Sequence, residues 1–402
     1  MKNYWFSLQS HIYVKFEEDS MLLYNTQSGD YLETDNNNVI LLIKELYKPE
    51  NLGVTLFDVE KQENPIFSSF VREIVEKEFG DISDTANFGN KPVRLLPILN
   101  LQRDVEKMKD KESVSALLGK DIINYLISLN IYVNSDCNAS CPNCKNYYKQ
   151  FNCCTTDNVN QEISFTELEK LFQQIKYAPV GRVNILGGNI LQYSELSSLF
   201  ELANIHCYIH YKNYINKHAE NVHTELMVDF PLNESLFNDA WKEINHEKIT
   251  VNFIVENEEQ YYKAEELVEN YDIRNYQVFP FYNDENIAFF EENIFLQKED
   301  VFNNPLGLRE IFRNQKLNSN FFGTLNILPD GSVKANTNTE ILGNIKSHNL
   351  LDIIYKEMTD NTAWRKVRDM EPCNKCLYQY LCPAPSNYET AIGKPNLCNL
   401  HS

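Results

Sequence analysis

The sequence predicts an α/β protein with a parallel sheet at its centre and a smaller unit at each end. Strand-like apolar runs alternate with amphipathic helices about six times over residues 125–304, and such repeats form right-handed crossovers and a parallel sheet. The sheet is either an open doubly wound one or a partial (β/α)6 barrel, and in both cases ligands bind at the carboxyl ends of the strands. The strand candidates are Leu129–Asn134, Val183–Leu186, His206–His210, Leu226–Val228, Ile249–Val255 and Tyr276–Phe281.

The composition argues against several classes of protein. The 402 residues carry 57 acidic and 37 basic side chains, a formal net charge of −20, and 43% of them are hydrophobic. This is typical of a folded globular chain, and its negative field repels phosphate backbones and anionic lipids. We therefore expect no nucleic-acid partner and no membrane partner. Because no apolar run reaches the ~18 residues of a spanning helix and the N-terminus lacks an apolar signal segment, we expect a cytoplasmic protein.

Residues 1–88 are predicted to form a small α+β unit of winged-helix-like outline, because three short strands precede two helices. Alternating apolar residues predict the strands, and apolar residues at helical spacing predict the helices. Asp35 and the three asparagines after it suit a helix N-cap, and Pro65 suits a helix start. The predicted strands are His11–Phe16, Met21–Asn25 and Gly29–Glu33, and the predicted helices are Val39–Leu46 and Phe67–Phe79.

The rest of the chain divides into three segments. Residues 89–124 combine turn residues with a charged run, which predicts a linker that ends in a helix. Residues 125–304 hold the strand–helix repeats of the central sheet. Residues 305–402 hold a hairpin around Pro329-Asp330-Gly331, a helix near Leu350–Glu357 and a group of cysteines.

Ten cysteines point to metal binding or thiol chemistry, because a reducing compartment gives them no disulfides to form. Cys137, Cys141 and Cys144 have the spacing Cys-x3-Cys-x2-Cys and begin directly after the first strand of the sheet. Three thiolates in one loop hold three irons of a [4Fe–4S] cluster and leave the fourth iron open, as a catalytic metal site requires. The alternative is a zinc loop, for which the nearest further thiols, Cys153 and Cys154, follow at an unsuitable spacing.

This motif after the first strand resembles that of the radical S-adenosylmethionine (radical SAM) family. The resemblance implies a partial six-stranded barrel and a [4Fe–4S] cluster whose open iron binds S-adenosyl-L-methionine, which is then reduced to give a 5′-deoxyadenosyl radical. Gly187-Gly188-Asn189 ends the second strand, where the family usually carries Gly-Gly-Glu to receive the methionyl amine. The glycines match, whereas Asn189 offers a neutral acceptor in place of a charge-assisted one. A simple strand-to-helix turn is the other interpretation of the two glycines.

The C-terminal cysteines resemble those of the SPASM extension found on peptide-modifying radical SAM enzymes. Cys373-x2-Cys376-x5-Cys382 and the later Cys398 match the four ligands of its second auxiliary cluster. The resemblance implies a SPASM-like iron–sulfur domain with one auxiliary [4Fe–4S] cluster at these four cysteines. The alternative is a structural zinc site, which four thiolates also build. The other matching segments are Trp364-Arg365, Ile327–Val333 and Gly343-Asn344-Ile345.

The ligands of the family's first auxiliary cluster are missing from the sequence. Asn336, Ser386 and Asn320–Phe322 stand where the resemblance places them. Cys207 lies in a predicted buried strand and is expected to be a small core residue. The vicinal pair Cys153-Cys154, in a polar loop, is expected to be inert. The eight histidines show no ligand spacing.

The N-terminal strand order and the motif Leu23-Tyr24-Asn25-Thr26-x-x-Gly29-x-Tyr31 resemble the leader-peptide-recognition domains of ribosomal-peptide modification systems. The chain as a whole thus resembles the radical SAM/SPASM peptide maturases, and most of all the pseudo-radical-SAM protein of GG-Bacteroidales ribosomal-peptide systems. The resemblance implies a precursor peptide with its leader as partner and a low-potential electron donor.

Two functions from different classes remain open. The first is an enzyme that abstracts a hydrogen atom from the precursor peptide. The second is a catalytically inactive companion that presents the precursor peptide to a partner radical maturase. The complete Cys137/Cys141/Cys144 triad favours the enzyme, because an idle triad has little structural reason to stay complete. The absence of glutamate at position 189 favours the companion.

Overall fold

The computed structural model describes residues 2–87, 90–97, 120–137, 139, 141, 143–153, 161–202, 205–214 and 222–400. Residues 98–119, most of the predicted linker, lie outside the described residues. The described chain forms two three-stranded sheets near its N-terminus and one nine-stranded sheet after them. Among the described helices, none is both long enough and apolar enough to cross a membrane.

The N-terminal unit consists of two antiparallel sheets and three α-helices. Its elements are β1 (Tyr4–Leu8), β2 (Ile12–Phe16), β3 (Met21–Asn25), β4 (Tyr31–Thr34), α1 (Asn37–Leu46), β5 (Val54–Phe57), α2 (Val59–Glu63), α3 (Pro65–Glu76) and β6 (Gly80–Asp84). The sheet β2-β3-β4 matches the three predicted strands, whereas the sheet β5-β1-β6 was not predicted. The side chain of Asn36, rather than Asp35, caps α1 by accepting from the N–H groups of Asn38 and Val39. The unit therefore has twice the strands of the predicted winged-helix-like outline.

The nine-stranded sheet contains the six predicted parallel strands in their order along the chain. Its strands are β7 (Ser128–Tyr132), β8 (Arg182–Leu186), β9 (Ile205–His210), β10 (His223–Val228), β11 (Ile249–Val255), β12 (Tyr276–Pro280), β13 (Thr324–Ile327), β14 (Ser332–Lys334) and β15 (Gly343–Asn344). From β7 to β12 every strand is parallel to the next. A doubly wound sheet reverses its strand order at a switch point. From β7 to β12 the order does not reverse, so over these six strands the winding is that of a barrel rather than a doubly wound sheet.

The C-terminal region continues this sheet. β13 pairs parallel to β7, and β14 and β15 follow as antiparallel neighbours. The predicted boundary between residues 304 and 305 is therefore not a break in the sheet. The remaining α-helices are α4 (Cys144–Tyr147), α5 (Phe165–Ile175), α6 (Leu196–Phe200), α7 (Glu234–Glu243), α8 (Glu258–Asn270), α9 (Ile287–Asn293), α10 (Lys298–Asn303), α11 (Leu308–Lys316), α12 (Leu350–Asp360) and α13 (Asn387–Ile392). Short 3-10 helices lie at Pro49–Asn51, Thr85–Asn87, Lys120–Tyr125, Ile190–Gln192, Tyr211–Asn213 and Cys373–Lys375.

The two faces of the parallel sheet differ in polarity. Side chains such as Leu129 and Ile185 belong to the apolar core that the helices cover. On the inner face, Asn326, Asn130 and Asn184 stand side by side on β13, β7 and β8, because the strands pair in that register. Nδ2 of Asn184 donates to Oδ1 of Asn130 at 2.7 Å, and Nδ2 of Asn130 donates to Oδ1 of Asn326 at 2.9 Å. We call these three side chains the asparagine row.

Arg182 extends the asparagine row toward β10 and β11. Its Nε donates to Oδ1 of Asn184 at 2.8 Å, and its Nη2 donates to Oε1 of Glu225 at 2.6 Å. Nδ2 of Asn252 donates to the other oxygen of Glu225 at 3.0 Å. Burial by itself would raise the pKa of Glu225, but hydrogen bonds from His206 and Asn252 and the charge of Arg182 lower it. One polar network thus spans the inner face from β13 to β11.

The N-terminal unit packs against the C-terminal region. Tyr13 of β2 and Tyr24 of β3 share an apolar cluster with Ile311 of α11. At the edge strand β4, the ring of Tyr31 stacks on Phe302 of α10 with centroids 3.7 Å apart. One face of the sheet β2-β3-β4 is therefore covered by the C-terminal region.

We expect Asn130→Leu to lower the free energy of unfolding by about 2–4 kcal/mol. The change removes the middle of the asparagine row and leaves carboxamide groups of Asn184 and Asn326 buried without their partner, and each such group costs about 1–3 kcal/mol. Urea denaturation measures the difference. Asn270→Leu, at the exposed end of α8, is the control and should change the value by less than about 0.5 kcal/mol. Equal losses in both variants would contradict a structural role for the row.

Candidate functional site

The loop that leaves the carboxyl end of β7 carries the three predicted cysteines. Cys141 is buried, Cys137 and Cys144 are partly exposed, and Cys144 begins the short helix α4. Cys141 packs with Tyr147 and Phe281 in an apolar cluster. The loop therefore lies at the edge of the sheet where the ends of parallel strands form ligand sites.

The end of β8 packs directly on the start of this cysteine loop. A Cβ atom on Gly188 would overlap the backbone of Asp136, and one on Gly187 would lie 2.5 Å from Oδ1 of Asn134. The N–H of Gly188 donates to both the backbone oxygen and Oδ1 of Asn134, each at 3.0 Å. The two backbones approach so closely that positions 187 and 188 require glycine. A simple turn would not impose this requirement at both positions.

Asn189 is buried, and its side chain already has a hydrogen bond. Its Oδ1 accepts from the N–H of Leu191 at 3.1 Å and so caps the helix Ile190–Gln192. Its backbone N–H donates to the carbonyl of Asp136 at 2.5 Å, and its carbonyl accepts from Nδ2 of Asn134 at 2.8 Å. The whole Gly-Gly-Asn turn is thus fastened to the segment that precedes the first cysteine.

A buried group of charged and polar residues lies beside Cys141. His210, at the end of β9, and Asp229, directly after β10, place ligating atoms within 4.8 Å of the Cys141 sulfur and of each other. Nζ of Lys212 lies 2.8 and 3.1 Å from the two oxygens of Asp229, and Nε2 of His210 lies 3.3 Å from Oδ1. Burial by itself would raise the pKa of Asp229, but His210 and Lys212 hold it below its ordinary value. The carboxylate is therefore ionised next to a cysteine.

Cys137 and Cys141 have different environments. Burial, and after it the charge of Asp229, raises the pKa of the Cys141 thiol far above its ordinary range. The sulfur of Cys137 accepts from Nδ2 of Asn213 at 3.2 Å and from the N–H of Ala139 at 3.5 Å. Hydrogen bonds to sulfur stabilise metal-bound thiolates, and a metal at Cys141 would add positive charge directly at that sulfur.

Asn143 ties the cysteine loop to the far strands of the sheet. Its Nδ2 donates at 2.8 Å to Oε1 of Glu256, which follows β11. Nδ2 of Asn283, which lies beyond β12, donates to the other oxygen of Glu256 at 2.9 Å. The loop is therefore held on one side by the end of β8 and on the other by the ends of β11 and β12.

Several residues of this site were not predicted from the sequence. They share one signal, because each is polar and lies at or just after the carboxyl end of a parallel strand. Parallel neighbours bring together residues that are far apart in the chain, so a His–Asp–Cys group has no fixed spacing to find. These residues are His210, Lys212, Asn213, Asp229 and Glu256.

The four C-terminal cysteines line one pocket. Cys373, Cys376 and Cys382 are buried, and Cys398 is partly exposed. Cys398 reaches the others because the terminal segment pairs with Leu296 in a parallel bridge. The structure therefore brings together all four cysteines of the predicted second site.

Arg368 supplies a positive charge to this C-terminal pocket. Its Nη2 donates to Oε1 of Glu389 at 2.7 Å. Burial raises the pKa of Cys376 to about 11 and that of Cys382 to about 12, so these thiols stay protonated at neutral pH unless a metal binds. The sulfur of Cys376 also accepts from the N–H of Tyr378 at 3.4 Å. A buried cation and an N–H···S bond suit a group of metal-bound thiolates.

The remaining cysteines are partly as predicted. Cys207 is buried in β9, and burial raises the pKa of its thiol to about 12, as a core residue should show. Cys153 does not lie in a polar loop, because it is buried in the apolar cluster that also holds Cys141. Cys154 lies outside the described residues.

The positions that lack first-auxiliary-cluster ligands come together in the structure. Asn320, Asn336 and Ser386 line one cavity of about 460 Å³, which we call the amide cavity. Nδ2 of Asn336 donates to Oδ1 of Asn387 at 2.7 Å. Carboxamides and a hydroxyl thus occupy the place where the resemblance implies metal ligands.

We expect Gly188→Ala to destabilise the protein by about 1–3 kcal/mol and to lower its iron content after anaerobic reconstitution. The added Cβ overlaps the backbone of Asp136, so the cysteine loop must move away from β8. Urea denaturation and iron analysis measure the two effects. Gly181→Ala is the control, because a Cβ there meets nothing within 4 Å, and both values should stay at the wild-type level. Indistinguishable variants would contradict the close approach.

Comparisons with known proteins give likenesses in structure alone. No family model and no curated protein matches the chain. Among the solved structures that it resembles is that of histidine-tagged anSMEcpe with bound AdoMet. The two chains are 15% identical, the TM-score is 0.46, and the superposition covers 67% of this chain and 92% of the other.

Proposed function

We propose that the protein is a radical SAM-type iron–sulfur protein that acts in the post-translational modification of a ribosomally made precursor peptide. One observation carries the proposal. A Cys-x3-Cys-x2-Cys loop leaves the first of six parallel strands wound in sequence order, and the glycine pair at the end of the second strand packs against that loop. The positions of the cysteines after the first strand and of the glycines at the end of the second are those that the sequence resemblance implies, and their packing supports the proposal.

The residues at the carboxyl edge fit a cluster held by three cysteines. Cys137, Cys141 and Cys144 would bind three irons of a [4Fe–4S] cluster and leave the fourth open. The apolar surroundings of Cys141 disfavour a bare thiolate, so a bound metal is what makes a thiolate stable there. When bound, such a cluster supplies one-electron reduction of S-adenosyl-L-methionine.

Gly187, Gly188 and Asn189 are the residues that we propose to hold S-adenosyl-L-methionine. The carbonyl oxygen of a carboxamide has two lone pairs that can accept hydrogen bonds. On Oδ1 of Asn189, one of them accepts from the N–H of Leu191. The second lone pair supports a hydrogen bond from the methionyl ammonium group, without the extra strength that a carboxylate gives.

A catalytically inactive companion is the second candidate, and the hydrogen bonds of Asn189 favour it. Its side chain caps the helix Ile190–Gln192, and that role needs no cofactor. In this case the protein would bind the precursor peptide and a partner radical maturase.

At the C-terminal cysteines we propose a second [4Fe–4S] cluster rather than zinc. Tetrahedral zinc, with bonds of ~2.3 Å to sulfur, holds its sulfurs roughly 3.8 Å apart. In the described part of the chain, only two sets of three or more ligating atoms lie within 4.8 Å of one another, and neither includes Cys373, Cys376, Cys382 or Cys398. The four irons of a cluster hold their cysteine sulfurs farther apart than a zinc ion does. This larger separation suits the four C-terminal cysteines.

For the N-terminal unit we propose leader binding at a sheet edge. The apolar residues of α1 are buried in the unit's own core, and Leu41 is the large apolar side chain that this helix exposes. Strand addition to a sheet edge uses backbone groups and needs no free helix face. We further propose a cytoplasmic location and a low-potential electron donor as partner.

We expect about eight iron and eight sulfide ions per chain after anaerobic reconstitution, because two four-iron clusters are proposed. A variant with Cys137→Ala, Cys141→Ala and Cys144→Ala should keep about half of each. Colorimetric iron and acid-labile sulfide analyses measure both. Cys207→Ala, which removes a buried thiol outside the two sites, is the control and should keep the full content. Stoichiometric zinc without sulfide would rule out the clusters.

We expect Asn189→Asp to distinguish the enzyme from the companion. Aspartate caps a helix as well as asparagine does, so the local fold is kept while a charged acceptor is gained. The methionyl ammonium is charged in both cases, but with aspartate the acceptor is charged as well. An added attraction of up to about 1.4 kcal/mol should tighten binding of S-adenosyl-L-methionine by up to about tenfold. Calorimetry measures the affinity, and mass spectrometry quantifies 5′-deoxyadenosine formed with dithionite.

Asn270→Asp, at an exposed position, controls for the added charge and should match the wild type. Binding and product in the wild type support the enzyme. If neither the wild type nor Asn189→Asp binds S-adenosyl-L-methionine or forms product, although both carry full iron, the companion role replaces the enzyme.

A further inference from the structure

Strand β12 is an edge of the central sheet with outward-facing backbone groups. It stands at the end of the strand order, with β11 as its neighbour. The carbonyl of Asn275 and the N–H of Phe281 bond to β11 at 3.0 and 2.7 Å. Along a strand, the N–H and C=O groups of successive residues point alternately toward one neighbouring strand and toward the other. The backbone groups of Tyr276 and Val278 therefore face away from β11. Among the described residues, no backbone hydrogen bond from another segment reaches them.

The amide cavity lies on the inner face of β12. Gln277 and Phe279 line it, together with the carboxamides and hydroxyls of the sheet and of the C-terminal region. Arg182 is the one charged side chain among its described lining residues, and Glu225 already neutralises it. Carboxamides offer both donors and acceptors, so the cavity suits polar groups without charge.

An aromatic groove lies on the outer face of the same strand. Val278 and Pro280 line it with Tyr261 and Tyr262 of α8 and Phe289 of α9, and its volume is about 450 Å³. Tyr262 is 59% exposed. We call this feature the tyrosine groove. Exposed aromatic rings around a groove are typical of an interaction surface.

β12 lacks the charged side chains that commonly protect an edge strand. Proteins commonly place lysines or other charges on such strands to prevent pairing with another chain. The strand Tyr276–Pro280 has the sequence Tyr-Gln-Val-Phe-Pro, which contains no charge and carries its proline at the last position. An added strand would point its alternate side chains into the amide cavity and the tyrosine groove.

We propose that β12 binds an extended, uncharged peptide segment by strand addition. The segment bonds to the outward backbone groups of Tyr276 and Val278, and its side chains alternate between polar and apolar. The polar set, such as asparagine, serine or threonine, enters the amide cavity, and the apolar set enters the tyrosine groove. That this segment belongs to the precursor peptide rests on the proposed function, whereas the pairing edge itself does not.

The test titrates the full-length protein with synthetic peptides in a calorimeter. The probe is N-acetylated, C-amidated Gly-Ser-Val-Asn-Val-Thr-Val-Asn-Gly. One comparison peptide has the same composition with its valines contiguous, and another carries N-methyl groups on all interior amides, which block strand pairing. We expect the alternating peptide to bind with Kd below about 1 mM and the other two at least about tenfold more weakly. No binding by the alternating peptide, or equal binding by the N-methylated one, overturns the proposal.

A pair of variants tests the same edge on the protein side. Val278→Pro removes an outward N–H and keeps the bonds to β11, whereas Val278→Ala shortens the side chain and keeps the N–H. We expect at least about tenfold weaker binding for the proline variant and a change within about threefold for the alanine variant. Equal affinities overturn the proposal, and if the proline variant does not fold, the N-methylated peptide decides.

Two further measurements separate other outcomes. Titrations without iron reconstitution test strand addition alone. Measurements of iron content and of 5′-deoxyadenosine formation test the proposed function. The strand-addition proposal and the proposed function can therefore fail independently. Sedimentation of the 47.0 kDa chain tests a second copy as occupant. A wild-type dimer that Val278→Pro dissociates would overturn the peptide proposal.

Discussion

The contact between Gly188 and Asp136 fixes where the candidate site lies. Parallel pairing of β7 and β8 continues beyond both strands, because the N–H of Val133 donates to Leu186 at 2.8 Å and that of Gly188 donates to Asn134 at 3.0 Å. The start of the cysteine loop is therefore an extension of the sheet and is held by the same backbone hydrogen bonds as the strands. A site held by regular elements keeps its geometry better than one on a free loop. Any side chain larger than glycine at position 188 would separate the loop from that support.

The second constraint on the structure is the polar inner face of the central sheet. Parallel sheets covered on both faces are usually apolar throughout, yet here the asparagine row and Glu225 lie buried within strands. They are stable because the strand register gives each of them a partner. The stacked rings of Tyr147 and Phe151 belong to the apolar cluster that holds Cys141, and Phe151 also lines the amide cavity. The sheet therefore carries an apolar cluster around Cys141 and a polar cavity on its inner face.

The predictable parts of the structure are those encoded locally. The six parallel strands and the two cysteine groups follow from runs and spacings within a few residues. The sheet β5-β1-β6 does not, because β1 pairs with strands that lie about 50 and 75 residues later, such as Tyr4 with Phe57 and with Asp84. In the sequence, Asn130 and Asn184 are isolated polar residues within apolar runs. Only the strand register of the folded sheet shows that they lie side by side. Asn189 was predicted by position, but its capping role depends on a helix that the sequence did not reveal.

The C-terminal cysteines also support the N-terminal unit. Nζ of Lys15, on β2, donates at 2.9 Å to Oε1 of Gln379, which lies between Cys376 and Cys382 and lines their pocket. In the same segment, Leu381 joins the apolar cluster that holds the face of the sheet β2-β3-β4. A metal bound by the cysteines, as proposed above, would order the segment that carries these contacts, because metal binding and local folding share one free energy. Such a metal would therefore also order the surface on which the N-terminal unit rests, and its loss would loosen the unit proposed to hold the leader.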